Sequence, residues 1–499
     1  MSSKTDRAIP PRWWWLLLAV TFIAAAALRA IGSGSGLWYD EIVTLVQSAR
    51  HPIARIVTDF PGVNAHPLYS LLAHASLSTF GESAWSLRLP ALVFGIASIV
   101  MVYILGASLT SRTEAWAASA LLAVSYHHVW FSQNARGYTL LGFLTLLGTW
   151  LLLRALERGE RRDYVCYAIV CAAGMYTHLT MTFVIAGHVA AIVLAMAMRQ
   201  VPVRRDTIAP LLWAWIGVGV LSAALYAPFV PGLIAWMGRD APRAAAKVAT
   251  AGWAASEALR ALFADSGVWA SIVTGLLAVA GAWSLLRREP LATALLIVPG
   301  VVTAVAMVAT GQPIRPRFFF FLAGGAAIFM GRGLGALVER LGRSGRETAI
   351  APRQALQPAV IACTLPLLAL SAAGLPRNYQ VPKQDFDAAV ARMTHEESRG
   401  ARIVAAGPAC LPLDEYYGKP WACIRHEDEW AGLATSPQPV LLLYTLLDYV
   451  DDPGLQQQLR TTCPVVERFE ATLRGGDLVI CRPHGAAPAA GAAAGAASR

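Results

Sequence analysis

Near the N-terminus, Leu37-Trp38-Tyr39-Asp40-Glu41 sets two carboxylates beside two aromatic rings, just after an apolar run. A carboxylate shielded from bulk water by aromatic neighbours can take a proton from a hydroxyl, the work of a general base. The same residues can serve a helix instead, since Asp is a favoured N-cap and a helix-like stretch begins near Glu41. Further along, Asn64-Ala65-His66-Pro67-Leu68-Tyr69 offers an imidazole for a sugar hydroxyl or a metal, and Tyr176-Thr177-His178 offers a second. Glu41, His66 and His178 would form a mixed oxygen and nitrogen set for a divalent metal, the one cofactor the sequence suggests. The plain alternatives are a loop His before Pro and a buried, hydrogen-bonded His.

Cationic candidates follow. Tyr126-His127-His128-Val129-Trp130-Phe131-Ser132-Gln133-Asn134-Ala135-Arg136-Gly137-Tyr138 joins two apolar runs. A guanidinium at the edge of an apolar bundle must snorkel or pair. A phosphate suits Arg136, because the planar fork contacts it bidentately; an interfacial anchor is the alternative. Gln312-Pro313-Ile314-Arg315-Pro316-Arg317-Phe318 brings two more arginines. Arg239, Arg243 and Lys247 read as a solvated helix face.

The elements that must hold these residues are those of a membrane protein. Of the 499 residues, 56% are hydrophobic and only 14% charged, against about 25% charged in soluble domains. The net charge of +10 sits in short clusters between apolar runs, which is a topology signal and excludes a basic nucleic-acid domain. About eleven spans are expected, each of roughly 20 residues, over 12–31, 89–109, 116–132, 138–156, 164–178, 181–198, 208–230, 268–286, 291–310, 318–337 and 357–373. The first reads as a retained helix and not as a cleaved signal peptide, because it is of spanning length and carries the interfacial cluster Trp13-Trp14-Trp15.

With a cytoplasmic N-terminus bearing Lys4, Arg7 and Arg12, the inward turns hold Arg112, Arg154, Arg158, Arg161, Arg162, Arg199, Arg204, Arg205, Arg287, Arg288, Arg340, Arg343, Arg346 and Arg353. That bias places Arg136, Arg315 and Arg317 outside. An odd number of spans puts the chain after residue 374 outside as well. Cys410, Cys423, Cys463 and Cys481 lie there, an even set suited to an oxidising compartment, with three pairings open. Cys463 and Cys481 flank two strand-like stretches joined at Gly475-Gly476 and can meet across a hairpin.

The expected fold is an all-α polytopic bundle over residues 1–373. Its large first external loop, 32–88, carries surface helices at 41–50 and 68–80. A small external α/β domain over 374–484 follows, with helix at 385–393 and strands at 402–406 and 440–444, and then a disordered Ala/Gly-rich tail over 485–499.

In order along the chain, WYDE, AHPLY, GESAWSLRLPA, FSQNARGYTLL, YTHLT, PRFFFFLAG and YQVPKQDFDAAV resemble the GT-C superfamily of polytopic glycosyltransferases, in its protein O-mannosyltransferase and aminoarabinose-transferase-like group. The resemblance covers most of the chain. It implies an inverting transfer of sugar from a polyprenyl-phosphate carrier to a lipid, glycan or protein hydroxyl, at the outer face of a bacterial inner membrane. It makes Asp40 the base or acceptor-positioning group, with Glu41 as its acidic neighbour; substrate contacts are expected at His66, Gln133, Arg136, Tyr138, His178, Arg315 and Arg317. Aminoarabinose-transferase-like members can place an acidic metal ligand where this chain has His66, a departure that bears on metal use. A transporter or lipid flippase is the alternative class; the inverted repeats and broken midplane helices it calls for are not apparent. A membrane scaffold would leave the ordered motifs unexplained.

Overall fold

The structure is a computed structural model, and it describes residues 11–60, 62, 65–200, 205–240, 267–311, 314–344, 357–434, 436–473 and 475–483. Lys4, Arg7, Asn64, Arg204, Arg243, Lys247, Gln312, Pro313, Arg346, Arg353 and the 485–499 tail lie outside the described residues, as do the side chains of Arg205, Arg239 and Arg343. Two compact units emerge. The first takes in the chain up to Ser33, Pro52–Glu82 and Ser86–Leu375; the second takes in Gly34–His51, Ser83–Trp85 and the chain from Pro376 onward.

The first unit is helical. Its elements are α1 (Arg12–Ala30), α3 (Ile53–Thr58), α4 (Pro67–Phe80), α5 (Ala84–Leu109), α6 (Arg112–Ala123), α7 (Tyr126–Ser132), α8 (Tyr138–Arg158), α9 (Arg161–Thr177) and α10 (Met181–Ala197). They are followed by α11 (Arg205–Tyr226), α12 (Val230–Asp240), α13 (Gly267–Leu286), α14 (Pro290–Ala309), α15 (Ala323–Ser344) and α16 (Gln357–Ala372). α2 (Tyr39–Thr44) belongs to the second unit.

Among the described residues, seven helical stretches are long and apolar enough to cross a membrane: Arg12–Ala30, Ala84–Leu109, Tyr138–Arg158, Asp206–Ala235, Pro290–Ala309, Pro316–Gly342 and Gln357–Gln380. Two further apolar helices, Met181–Ala197 and Ile272–Leu286, are shorter. The chain is a multi-pass membrane protein, and Ile23, Trp213 and Val279, all more than two-thirds exposed at 69%, 71% and 68%, are side chains a lipid environment would cover.

The third expected span, 116–132, is in fact two helices. The chain breaks at Val124-Ser125, where the Ser125 hydroxyl accepts the His128 N–H at 3.4 Å and caps the short α7. A local hydrogen bond thus overrides a continuous apolar run.

Packing explains a Pro inside a long helix. Pro90 has no N–H, so in α5 the carbonyl of Ser86 loses its partner four residues on. Ser76 of α4 donates its hydroxyl to that carbonyl at 2.6 Å, and Tyr69 donates to the Leu87 carbonyl at 2.8 Å. α4 therefore lies along the first turns of α5. Elsewhere, buried Arg332 of α15 pairs with Glu114 of α6 and with Glu339 at 2.9 Å, and donates to Ser284 of α13 at 3.0 Å. Glu114 also caps its own helix, accepting the Ser111 N–H at 2.9 Å. Each carboxylate oxygen of Glu114 thus has its own donor, as a buried charge requires.

The second unit carries a five-stranded sheet in the order β2-β1-β3-β5-β4. The strands are β1 (Arg402–Ala406), β2 (Ala422–Ile424), β3 (Val440–Tyr444), β4 (Val465–Phe469) and β5 (Leu478–Cys481). β1 runs parallel to β2 and β3, while β5 is antiparallel to β3 and β4. Every residue of β3 is buried, as its unbroken apolar run requires of a strand covered on both faces.

Two helices join the sheet, α17 (Phe386–Ser398) and α18 (Pro453–Thr461). Each opens on an Asp cap, Asp385 to the Ala388 N–H at 3.0 Å and Asp452 to the Leu455 N–H at 2.8 Å. Disulfides join Cys410 to Cys423 and Cys463 to Cys481. The second staples the β4–β5 hairpin, as the sequence suggested.

Candidate active site

The first unit gathers the imidazoles and a phenol. Pro67 occupies the first position of α4 and steers the preceding residue away from helical geometry, which leaves His66 as the cap with φ −127° and ψ 71°. From there its Nδ1 reaches the carbonyl of Thr177 at 3.1 Å. That carbonyl ends α9 and lacks an intrahelical donor, so His66 closes the helix by donating an Nδ1–H. The tautomer is thereby fixed, and the other ring nitrogen, Nε2, is a buried acceptor with no protein partner.

His178, the next residue, adopts the extended conformation, and its Nδ1 accepts the Thr180 N–H at 3.0 Å. Its neutral ring therefore carries the proton on Nε2. The two rings lie 4.8 Å apart between centroids. Tyr138, the first residue of α8, closes the group at 5.5 Å from His66 and 5.7 Å from His178, and its hydroxyl is also buried without a partner. The three neighbouring rings thus carry one lone pair, one N–H and one hydroxyl, the donor and acceptor types that suit a polyhydroxylated ligand.

Gly137 makes this grouping possible. A Cβ there would stand 2.8 Å from Thr177 Cγ2 and 3.0 Å from His66 Nδ1. Only a residue without a side chain lets α8 start against the His66–Thr177 hydrogen bond.

The charge around the group is positive. Arg136 is buried in the turn between α7 and α8. Arg317 lies half-buried in the 3-10 turn Pro316–Leu322, with its guanidinium 5.3 Å from the Phe318 ring centroid. His178 lies 6.1 Å from that same ring. Burial holds the His66 imidazole well below its ordinary value, and the electrostatic influence of Arg136, then His178, then Arg317 lowers it further against the opposing Thr177 carbonyl. His66 is neutral at pH 7. Arg315 is half-buried at the cap of the same 3-10 turn.

Gln133, expected from the sequence to contact substrate, also closes the end of a helix. Its Nε2 donates to the Arg29 carbonyl at 2.9 Å and to the Ile31 carbonyl, both at the end of α1.

A metal does not suit this group. His66 and His178 supply two nitrogens at most, His178 has one of its own engaged by Thr180, and two guanidinium charges act on His66. Among the described residues no three His, Cys, Asp or Glu side chains are placed to share an ion.

The second unit holds the acidic pair. Trp38 is the cap of α2, Asp40 lies in its first turn, and Glu41 reaches back to accept the Trp38 N–H at 3.4 Å. The capping expected of Asp40 falls to Glu41, which is fully buried. Asp40 is partly exposed at the second helical position, and its carbonyl accepts the Thr44 hydroxyl at 2.8 Å.

Sequence reasoning missed Arg29. It stands near the end of the first apolar span and is wholly buried. It donates to Ser132 Oγ at 3.1 Å, to the Ala123 carbonyl at 3.0 Å and to His128 Nδ1 at 2.7 Å. It therefore ties α1 to the break between α6 and α7. The one available signal was a cation inside an apolar run.

Comparisons with known proteins agree with the resemblance to the GT-C superfamily. The family described as dolichyl-phosphate-mannose-protein mannosyltransferase matches residues 61–231, a stretch that includes His66, Arg136, Tyr138 and His178. A curated relative, the putative mannosyltransferase YkcB of Bacillus subtilis, is 26% identical over 151 residues, which is 30% of this chain and 21% of that protein. The chain thus aligns with about a fifth of that relative's length.

The crystal structure of ArnT from Cupriavidus metallidurans bound to undecaprenyl phosphate superposes with a TM-score of 0.58 at 13% identity, over 94% of this chain and 98% of ArnT. The oligosaccharyltransferase AglB of Archaeoglobus fulgidus, in complex with an inhibitory peptide and a dolichol-phosphate, superposes with a TM-score of 0.53 at 11% identity, over 94% of this chain and 74% of AglB. At these identities the likeness to the solved structures is one of fold.

Proposed function

We propose that this chain is a glycosyltransferase of the bacterial inner membrane that transfers a sugar from a polyprenyl-phosphate carrier to an acceptor hydroxyl at the outer face. The observation that carries the reading is the set of His66 Nε2, His178 Nε2 and the Tyr138 hydroxyl beside Arg136 and Arg317. Neutral donors and acceptors suit sugar hydroxyls, and the guanidinium groups suit the carrier phosphate. The fold shared with ArnT and AglB, whose structures hold undecaprenyl phosphate and dolichol-phosphate, supports it.

The reaction is a single displacement with inversion. Asp40 takes the proton of the acceptor hydroxyl as its oxygen attacks the anomeric carbon. The bond from that carbon to the phosphate oxygen breaks, and the electron pair leaves with the carrier phosphate. Arg136, assisted by Arg315 or Arg317, stabilises the charge that grows there. The positive-inside charge pattern and the two disulfides of the second unit support an extracytoplasmic location for residues 374–484.

The test is purified protein in detergent with a panel of undecaprenyl-phosphate sugars, followed by the release of undecaprenyl phosphate. Release with at least one donor and an acceptor is expected. Movement of intact donor across proteoliposomes, without cleavage, would establish the transporter reading in its place.

A further inference from the structure

We infer that Gln384 is a positioning residue for Asp40, clasping the start of the acidic helix to the sheet of the second unit. The inference rests on the reading of Asp40 as the base. Gln384 is 1% exposed and stands just before the cap of α17. Its Oε1 accepts the backbone N–H of Tyr39 at 2.9 Å. Its Nε2 donates to Thr445 Oγ1 at 2.8 Å and to the Gly476 carbonyl at 3.0 Å.

The Thr445 hydroxyl itself donates to that same carbonyl at 3.0 Å, which leaves its lone pairs for Gln384. A flipped amide would set Oε1 against two oxygen acceptors, so the orientation is fixed. Thr445 directly follows β3, and Gly476 lies in the turn into β5, so the amide is anchored at the adjoining ends of two neighbouring strands.

Tyr39 is the first residue of α2 and immediately precedes Asp40. First-turn N–H groups have no acceptor within their own helix, and Gln384 supplies this one from elsewhere in the chain. A second contact lies beside it. A Cβ at Gly36 would meet Asp387 Oδ2 at 2.5 Å, and Asp387 Oδ1 is held by the Tyr417 hydroxyl at 2.7 Å. The segment entering the acidic helix therefore rests against the start of α17 at both Gly36 and Tyr39. The direction of the Asp40 side chain follows from this backbone, and a misplacement of about 1 Å in a reacting group costs on the order of a hundredfold in rate.

The test uses the full-length enzyme with an undecaprenyl-phosphate sugar donor and compares Gln384→Ala, Tyr39→Pro, Tyr39→Ala and Asp40→Asn. Pro is accepted at a first helical position, and Trp38 already has the extended geometry a residue before Pro needs, with φ −98° and ψ 170°. Tyr39→Pro thus differs from Tyr39→Ala chiefly by the missing N–H. Gln384→Ala is expected to lower kcat about tenfold with donor KM within about twofold, and Tyr39→Pro to fall about tenfold below Tyr39→Ala. With Asp40→Asn inactive, a Gln384→Ala kcat within about twofold of the parent, or equal rates for the two Tyr39 variants, would overturn the clasp alone. A fully active Asp40→Asn would overturn the base reading and this inference with it.

Discussion

Adding one methyl group at Gly137 should damage sugar recognition without replacing any charged or hydrogen-bonding side chain. Its backbone, at φ −73° and ψ 10°, is open to Ala, so the effect is steric. The new carbon would stand 2.8 Å from Thr177 Cγ2 and 3.0 Å from His66 Nδ1, where ordinary contact begins near 3.4 Å. Thr177 and His66 must therefore give by about 0.6 and 0.4 Å in a packed site, an overpacking cost of about 1 to 3 kcal/mol.

Those same groups form the 3.1 Å hydrogen bond that fixes the His66 tautomer. A cost of about 1 to 2 kcal/mol appearing in donor binding would raise donor KM between about five- and thirtyfold. Initial rates against donor concentration measure it. Thr177→Ser removes the methyl that makes the closest contact and can keep the hydroxyl bond to the Ala173 carbonyl, 2.8 Å in the parent. Adding it to Gly137→Ala should recover part of the loss. Parental KM and kcat in Gly137→Ala would refute the role assigned to the His66–Thr177 pair.

Three further outcomes are expected. Arg136→Ala should raise donor KM about tenfold or more, as loss of a charge-assisted contact would; an unchanged donor dependence would return Arg136 to an anchoring role. Folded His66 resists protonation while the unfolded imidazole titrates near 6.5, so the unfolded state binds more protons and stability falls as pH drops through about 6.5. His66→Asn should flatten that fall by up to about 1.4 kcal/mol per pH unit, read from unfolding midpoints across pH 5 to 8, and a parallel fall in both proteins would contradict it. Incubation with EDTA should leave activity unchanged, since His66 and His178 lie under the charge of Arg136 and Arg317; loss of activity restored by a divalent ion would reinstate a metal.

Much of this was legible in the sequence because it depends on local pattern. Helix ends at Arg12, Tyr138 and Met181 fall within a residue of the expected spans, since spanning-length apolar runs leave little freedom. Strands Arg402–Ala406 and Val440–Tyr444 appear as read. The three-residue strand Ala422–Ile424 was missed, because it is too short to show alternation.

What the sequence hid depends on residues distant along the chain. That Gly137 must lack a Cβ follows only once Thr177 and His66 meet, 111 positions apart. Glu41 took the capping role expected of Asp40 because the helix begins two residues earlier than its composition suggests. Gln133 and Arg29 also meet the backbone of helices distant along the chain, contacts that no local pattern shows.

The measurement closest to the central claim is transfer by Asp40→Asn in purified enzyme given a polyprenyl-phosphate sugar and an acceptor. The substitution keeps the size of the side chain and removes its ability to take a proton. The account predicts that transfer is abolished while expression and the unfolding midpoint stay at parental values. Transfer at the parental rate would contradict Asp40 as the base.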